Sequence, residues 1–293
     1  MSPIGTTAAD QGTRYSGGSG YRTGTFAAPF RMEILPRYFL ELAYNGTAYR
    51  GWQRQLAAPS VQAEVERALQ FALQQHKVNA IGCGRTDTGV HASRYYVHFD
   101  GPADRVLDER FVYSLNSLLP KDIAIYRIIP VPDKAHARFS ATERGYAYRI
   151  HIRKDPFLQD RSHQLHPPLA LEDMNEACKA LLGHQDFSSF CKAGSDVKTM
   201  LCDVRQAEWV HVENGYLFRV KADRFLRNMV RAIVGTSIRI GKGYKPVAHM
   251  AEVIAARDRH AAGKSAPACG LYLEHVSYPF IPEDRTPLNT GLN

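Results

Sequence analysis

From Arg37 the chain places Tyr38, Leu40, Leu42 and Tyr44 at every second position, a period that predicts a strand, and Asn45-Gly46 then supplies a turn signal. After Ser60 the period changes. Val61, Val65, Ala68, Leu69, Ala72 and Leu73 recur at helical spacing behind a capping residue, so a helix is expected from there to about Lys77. Apolar Ile81 leads from a short strand into a glycine-rich stretch, Gly82 to Ala92, and residues 94 to 99 read as the next strand. Leu107, Phe111, Leu115 and Leu118 mark an amphipathic helix ending before Pro120, and Ile123 to Ile129 returns as a strand. The run from Arg144 is extended, and a period of two puts Arg144, Tyr146, Tyr148 and Ile150 on one face.

A composition shift between Pro156 and Pro168 separates this half from a second one of similar style. Met174, Cys178 and Leu181 predict a helix stopped by Gly183. Strands follow at 202 to 212 and 216 to 222. A helix is expected from Phe225 to Ile240, burying Phe225, Met229, Ile233 and Val230, with Arg224, Arg227 and Arg231 belonging to it. Arg227 and Arg231, four apart on that helix, would share a face. Met250 to Arg257 reads as a last helix and Leu271 to Tyr278 as a closing strand. Strands and helices in this order, with several strand pairs close enough to form hairpins, imply an α+β protein with antiparallel sheet, although periodicity leaves the topology open. Residues 1 to 30 hold 14 Gly, Ser or Thr and little apolar periodicity, which predicts a disordered extension. The expected organisation is that extension, an N-terminal half over 31 to 160, a C-terminal half over 161 to 282, and a flexible tail over 283 to 293.

Composition narrows the class. With 44% hydrophobic and 23% charged residues the chain is an ordinary globular one, and no stretch approaches the roughly 18 apolar residues of a membrane span. No basic segment followed by an apolar run opens the chain, so a cytoplasmic protein is expected. The five cysteines are scattered without a Cys-x-x-Cys pair, and among 12 histidines only His163 and His166 lie close together, so neither disulfides, metal nor an organic cofactor is expected. A net charge of +8 favours a polyanionic partner.

The candidate chemistry sits in Gly82 to Ala92. Glycines at 82, 84 and 89 free the backbone for a tight loop, and one acid, Asp87, stands between Thr86 and Thr88 with Arg85 two residues before it. A turn in which Asp87 caps backbone amides is the structural alternative. Asp87-Thr88-Gly89 also matches the triplet of aspartic proteases, but those need two carboxylates sharing a proton, and the chain has no second Asp-Thr-Gly. Arg50, Trp52 and Arg54 interleave cations with an aromatic ring, which suits phosphate contact and base stacking or, equally, a buried Trp beneath a solvated loop.

Gly84-Arg85-Thr86-Asp87 with Gly89-Val90-His91-Ala92 resembles the active-site motif of the bacterial tRNA pseudouridine synthase A family. Three further stretches agree in order: Ala43 to Thr47 continuing through Tyr49 and Gly51-Trp52-Gln53-Arg54-Gln55; His136 to Thr142 with Arg144, Tyr146 and Tyr148; and Phe225 to Arg231 with Ile233-Val234-Gly235. Asn45 and Cys83 depart from the pattern. The resemblance implies two ferredoxin-like halves joined through a curved, largely antiparallel central sheet, helices on one side, and a basic cleft between the halves. It also implies a homodimer that converts uridines 38, 39 and 40 of the tRNA anticodon stem-loop to pseudouridine. Asp87 would act as nucleophile or as base toward the ribose, with Arg231 as its ion-pair partner and Arg85 close by. Tyr146 would stack on the uracil, its hydroxyl available for removing the C5 proton. An RNA-binding protein of the same fold without chemistry is the competing class.

Overall fold

The computed structural model of the chain describes residues 35–102, 107–166, 168–195 and 197–282; the extension expected over 1 to 30 and the tail over 283 to 293 lie outside the described residues. Strand β1 (Arg37–Tyr44) opens the first half, and a single 3-10 turn follows at Gly46–Ala48, where Asn45 caps Thr47. Helix α1 (Val61–Leu73) begins where Ser60 accepts from the Ala63 amide. It stops short of Lys77 because Gln74 adopts a left-handed φ of 56°. Then come β2 (Ile81–Gly82), β3 (His91–Asp100), α2 (Glu109–Leu118, capped by Asp108) and β4 (Ile123–Val131). The second half runs β5 (Glu143–His151), a two-residue β6 (His163–Gln164), α3 (Leu171–Cys178), β7 (Gly183–Asp186), β8 (Leu201–Val212), β9 (Gly215–Ala222), α4 (Met229–Gly241), α5 (His249–Ala256) and β10 (Leu271–Ser277).

The strand order is β4-β1-β3-β10-β5-β9-β8-β7, with β2 and β6 as short side branches on β3 and β5. Strands β1 to β4 stand as β4-β1-β3-β2, with α1 and α2 in the two crossovers, and β5, β8, β9 and β10 repeat that arrangement as β10-β5-β9-β8, with α3 in one crossover and α4 and α5 in the other. Both halves are therefore ferredoxin-like, and β5 stands in the second set although it precedes the composition shift at Pro156. The main path is antiparallel throughout except at the join, where β10 runs parallel to β3 with Tyr272 opposite His91 and Leu273 opposite Ala92. Two cores lie along this one sheet. Phe39, Leu42, Leu69, Tyr95 and Leu115 are among the residues that fill the first, and Tyr148, Phe187, Trp209, Phe218 and Ile233 the second.

Strand β1 is covered on both faces, so its polar alternation is incomplete: Glu41 is only 1% exposed. Its charge is held by Arg94 at 2.9 Å and Arg127 at 2.5 Å, one from each neighbouring strand, without which a carboxylate would not remain there. Helix α4 starts at Met229, four residues later than the apolar spacing predicts, because Asn228 takes a left-handed φ of 67°. Phe225, Leu226 and Arg227 precede it as loop, and neither Arg224 nor Arg227 is helical. Among the described residues no helix is long and apolar enough to cross a membrane.

Buried His98 on β3 accepts from the Ala137 amide at 3.0 Å through Nδ1 and stacks on Phe39. Burial, then the adjacent His136 and Arg37, lower its pKa to about 4. Between about pH 6.5 and about 4 the unfolded chain takes up a proton that the folded chain refuses, so stability should fall across that window on acidification. His98→Asn, which keeps an acceptor but cannot protonate, should flatten the fall by on the order of 1–3 kcal/mol, measured by denaturant titration at stepped pH.

Candidate active site

The glycine-rich loop occupies the place where β3 changes neighbour. Val97 and His98 pair with β2, whereas His91 and Ala92 pair with β10, and the chain from Gly82 to Val90 runs through the gap. Cys83, near one end, is buried in the first core, and Val90, at the other, is buried in the second. The segment after β1 holds the loop from beneath. The Tyr44 hydroxyl and Thr86 Oγ1 lie 2.9 Å apart, the Trp52 amide donates to Thr86 Oγ1 at 3.2 Å, and the Gly89 amide donates to the Tyr49 carbonyl at 3.3 Å. Trp52 is 3% exposed, its ring 4.5 Å from that of Tyr95. Of the two readings of that tryptophan, the structural one is what the fold shows. His91 is also structural: Nδ1 accepts from the Gly46 amide at 3.0 Å, which leaves Nε2 to donate to the Cys269 carbonyl at 3.1 Å, and burial lowers its pKa.

The Asp87 carboxylate caps no backbone amide among the described residues. It faces Arg231 Nη1 at 3.5 Å and Arg227 Nε at 3.7 Å. Arg231, in the first turn of α4, is aimed by a 2.8 Å bond from Nε to the Ala266 carbonyl. Arg227 comes from the loop before the helix, so the two guanidiniums converge through the Asn228 turn rather than through helical spacing. Arg85, by contrast, is exposed and makes no ion pair with Asp87.

Tyr146 on β5 stands edge-on against Phe225, ring centroids 5.1 Å apart and planes at 89°, while its hydroxyl has no protein partner among the described residues. Burial raises its pKa, and neighbouring Cys83 and the Asp87 charge add to the shift, so the phenol is protonated at neutral pH. Arg144, two residues before it on the same strand face, was visible to the period-two pattern but carried no expected role. Its guanidinium donates to the carbonyls of Cys83 (3.1 Å), Asp223 (3.0 Å) and Arg138 (2.5 Å), tying the Asp87 loop to two other segments. Arg85, Arg144 and Arg224 lie near enough to Arg138 to join burial in lowering its pKa.

So much positive charge around one carboxylate suits contact with a polyanion. Comparison with known proteins narrows this to one family. The family described as tRNA pseudouridine synthase matches residues 177–279. Over 84% of its length the chain is 47% identical to tRNA pseudouridine synthase A of Parabacteroides distasonis, covering 97% of that protein, and 47% identical to that of Porphyromonas gingivalis, covering 98%. Over 81% it is 40% identical to the Anoxybacillus flavithermus protein of the same name, covering 96%. The chain belongs to the tRNA pseudouridine synthase A family.

The loop's fixity is testable through Gly51, whose φ is +92° and where a Cβ would meet the Thr86 carbonyl oxygen at 2.2 Å. Gly51→Ala should cost about 1–3 kcal/mol in denaturant unfolding. Gly84→Ala, with nothing within 4 Å of the added atom, should cost less than half as much as that.

Proposed function

We propose that this protein isomerises uridines at positions 38, 39 and 40 of the tRNA anticodon stem-loop to pseudouridine, with Asp87 as the reacting carboxylate. The observation that carries the reading is Asp87 itself: held on a loop whose ends are buried in two cores, half-buried, and faced by Arg227 and Arg231 beside a tyrosine ring. Family membership supports tRNA pseudouridylation as the activity; the arginines supply the phosphate contacts such a substrate requires.

The reaction breaks the N1–C1′ bond, turns the uracil, joins C5 to C1′ and releases the C5 hydrogen, with N1 taking up a proton. An ionised carboxylate serves either as nucleophile at C1′ or as base toward the ribose. Arg231 and Arg227, at 3.5 and 3.7 Å, orient Asp87. The target nucleotide leaves its stack to reach the loop, and the Tyr146 ring gives the detached uracil a flat face on which to rotate. Because that phenol is protonated, its hydroxyl suits donation or relay of a proton better than abstraction from C5. A homodimer spanning one tRNA, working in the cytoplasm, completes the proposal; sedimentation with and without tRNA tests the stoichiometry.

Asp87→Asn keeps size and removes charge. Tritium release from C5-labelled uridine in an anticodon stem-loop should drop by at least about 10⁴-fold while melting temperature and tRNA affinity hold; an active variant would falsify the assignment of Asp87. Tyr146→Phe should bind tRNA normally and turn over about 10- to 100-fold more slowly, and a normal rate would leave stacking as its whole role. Affinity should also fall steeply between 50 and 200 mM salt, roughly tenfold or more, as expected when several phosphate contacts release counterions.

A further inference from the structure

Residues His136 to Ser140 form a loop whose hydrogen bonds fix its shape while leaving Phe139 75% exposed. His136 Nδ1 accepts from the amides of Arg138 at 3.1 Å and Phe139 at 3.3 Å, and the Ser140 amide closes the turn on the His136 carbonyl at 2.9 Å. The Ala137 carbonyl accepts from the Tyr278 hydroxyl at 2.6 Å, and the Arg138 carbonyl from Arg144. A loop held this tightly presents its aromatic ring in one place. The His136 ring lies 4.4 Å from that of Phe139, and the Arg138 guanidinium carbon stands 5.5 Å from its centroid. Arg144 bonds the Cys83 carbonyl as well, so one guanidinium fixes both this loop and the one that carries Asp87.

We propose that Phe139 is a stacking platform for an unpaired base of the bound RNA, flanking the nucleotide delivered to Asp87, with Arg138 contacting the adjoining phosphate. Extruding one nucleotide strips its neighbour of a stacking partner, and an exposed phenyl ring replaces that partner without reading the base's edges. The cations beside it suit the phosphate that accompanies every base. The proposal rests on the tRNA reading above and deepens it, assigning a second nucleotide subsite to the same cleft.

The test compares the full-length protein with Phe139→Ala, Phe139→Leu and Phe139→Trp on an anticodon stem-loop carrying a single 2-aminopurine, moved in turn through the unpaired positions. The ring is exposed, so melting temperatures should coincide. Alanine and leucine should each weaken binding about tenfold or more and raise KM in step, while tryptophan stays within about twofold of wild type. At one position 2-aminopurine should be quenched by the wild type and left bright by Phe139→Ala. Leucine binding as well as phenylalanine would overturn stacking, as would unchanged affinity in all three variants. A lighter sedimenting species for Phe139→Ala would assign the ring to a contact with a second copy instead. If the wild type shows the quench but releases no tritium, the platform stands and the proposed chemistry falls.

Discussion

The site depends on strand β3 dividing its edge between two neighbours. Its distal residues bond to β2 and its first residues to β10, and the chain between β2 and β3 has to pass through the gap this leaves. Cys83 is packed in one half and Val90 in the other, so Asp87 cannot shift relative to either half without disturbing a close-packed core. The rigidity of the scaffold thus reaches the carboxylate through its flanking side chains.

Around that point the charges are arranged rather than merely abundant. Arg144 gives its donors to three carbonyls and acts as a strut, whereas Arg227 and Arg231 stand off Asp87 at 3.5–3.7 Å, near enough to orient it and too far to lock it. Among the described residues Asp87 is the one acid with which Arg227 and Arg231 pair. Two guanidiniums against one carboxylate leave net positive charge at this place.

Much of this was legible from residue order alone. Period two located β1 and β5, helical spacing located α1 and α2, and the Gly82 to Ala92 stretch pointed to Asp87, because these signals are local. The parallel join of β10 to β3 was not legible, since a pairing 181 residues apart in sequence leaves no periodic trace. Arg227 and Arg231 do not share the helix face that their spacing predicts: a left-handed Asn228, which few side chains but asparagine accept readily, replaces the expected turn of helix, and the two meet at Asp87 from loop and helix. Trp52 shows the converse difficulty. An aromatic between two arginines reads the same whether it stacks on a base or, as here, roofs a core, and only the three-dimensional neighbours separate the cases.

The position of β10 also carries a consequence for biosynthesis. Every other strand leaves the ribosome before it, yet it lies between β3 and β5 at the middle of the sheet. Until it emerges, the two halves lack the strand that joins them. The join that fixes the Asp87 loop between the two halves therefore cannot form until every other strand of the sheet has been made.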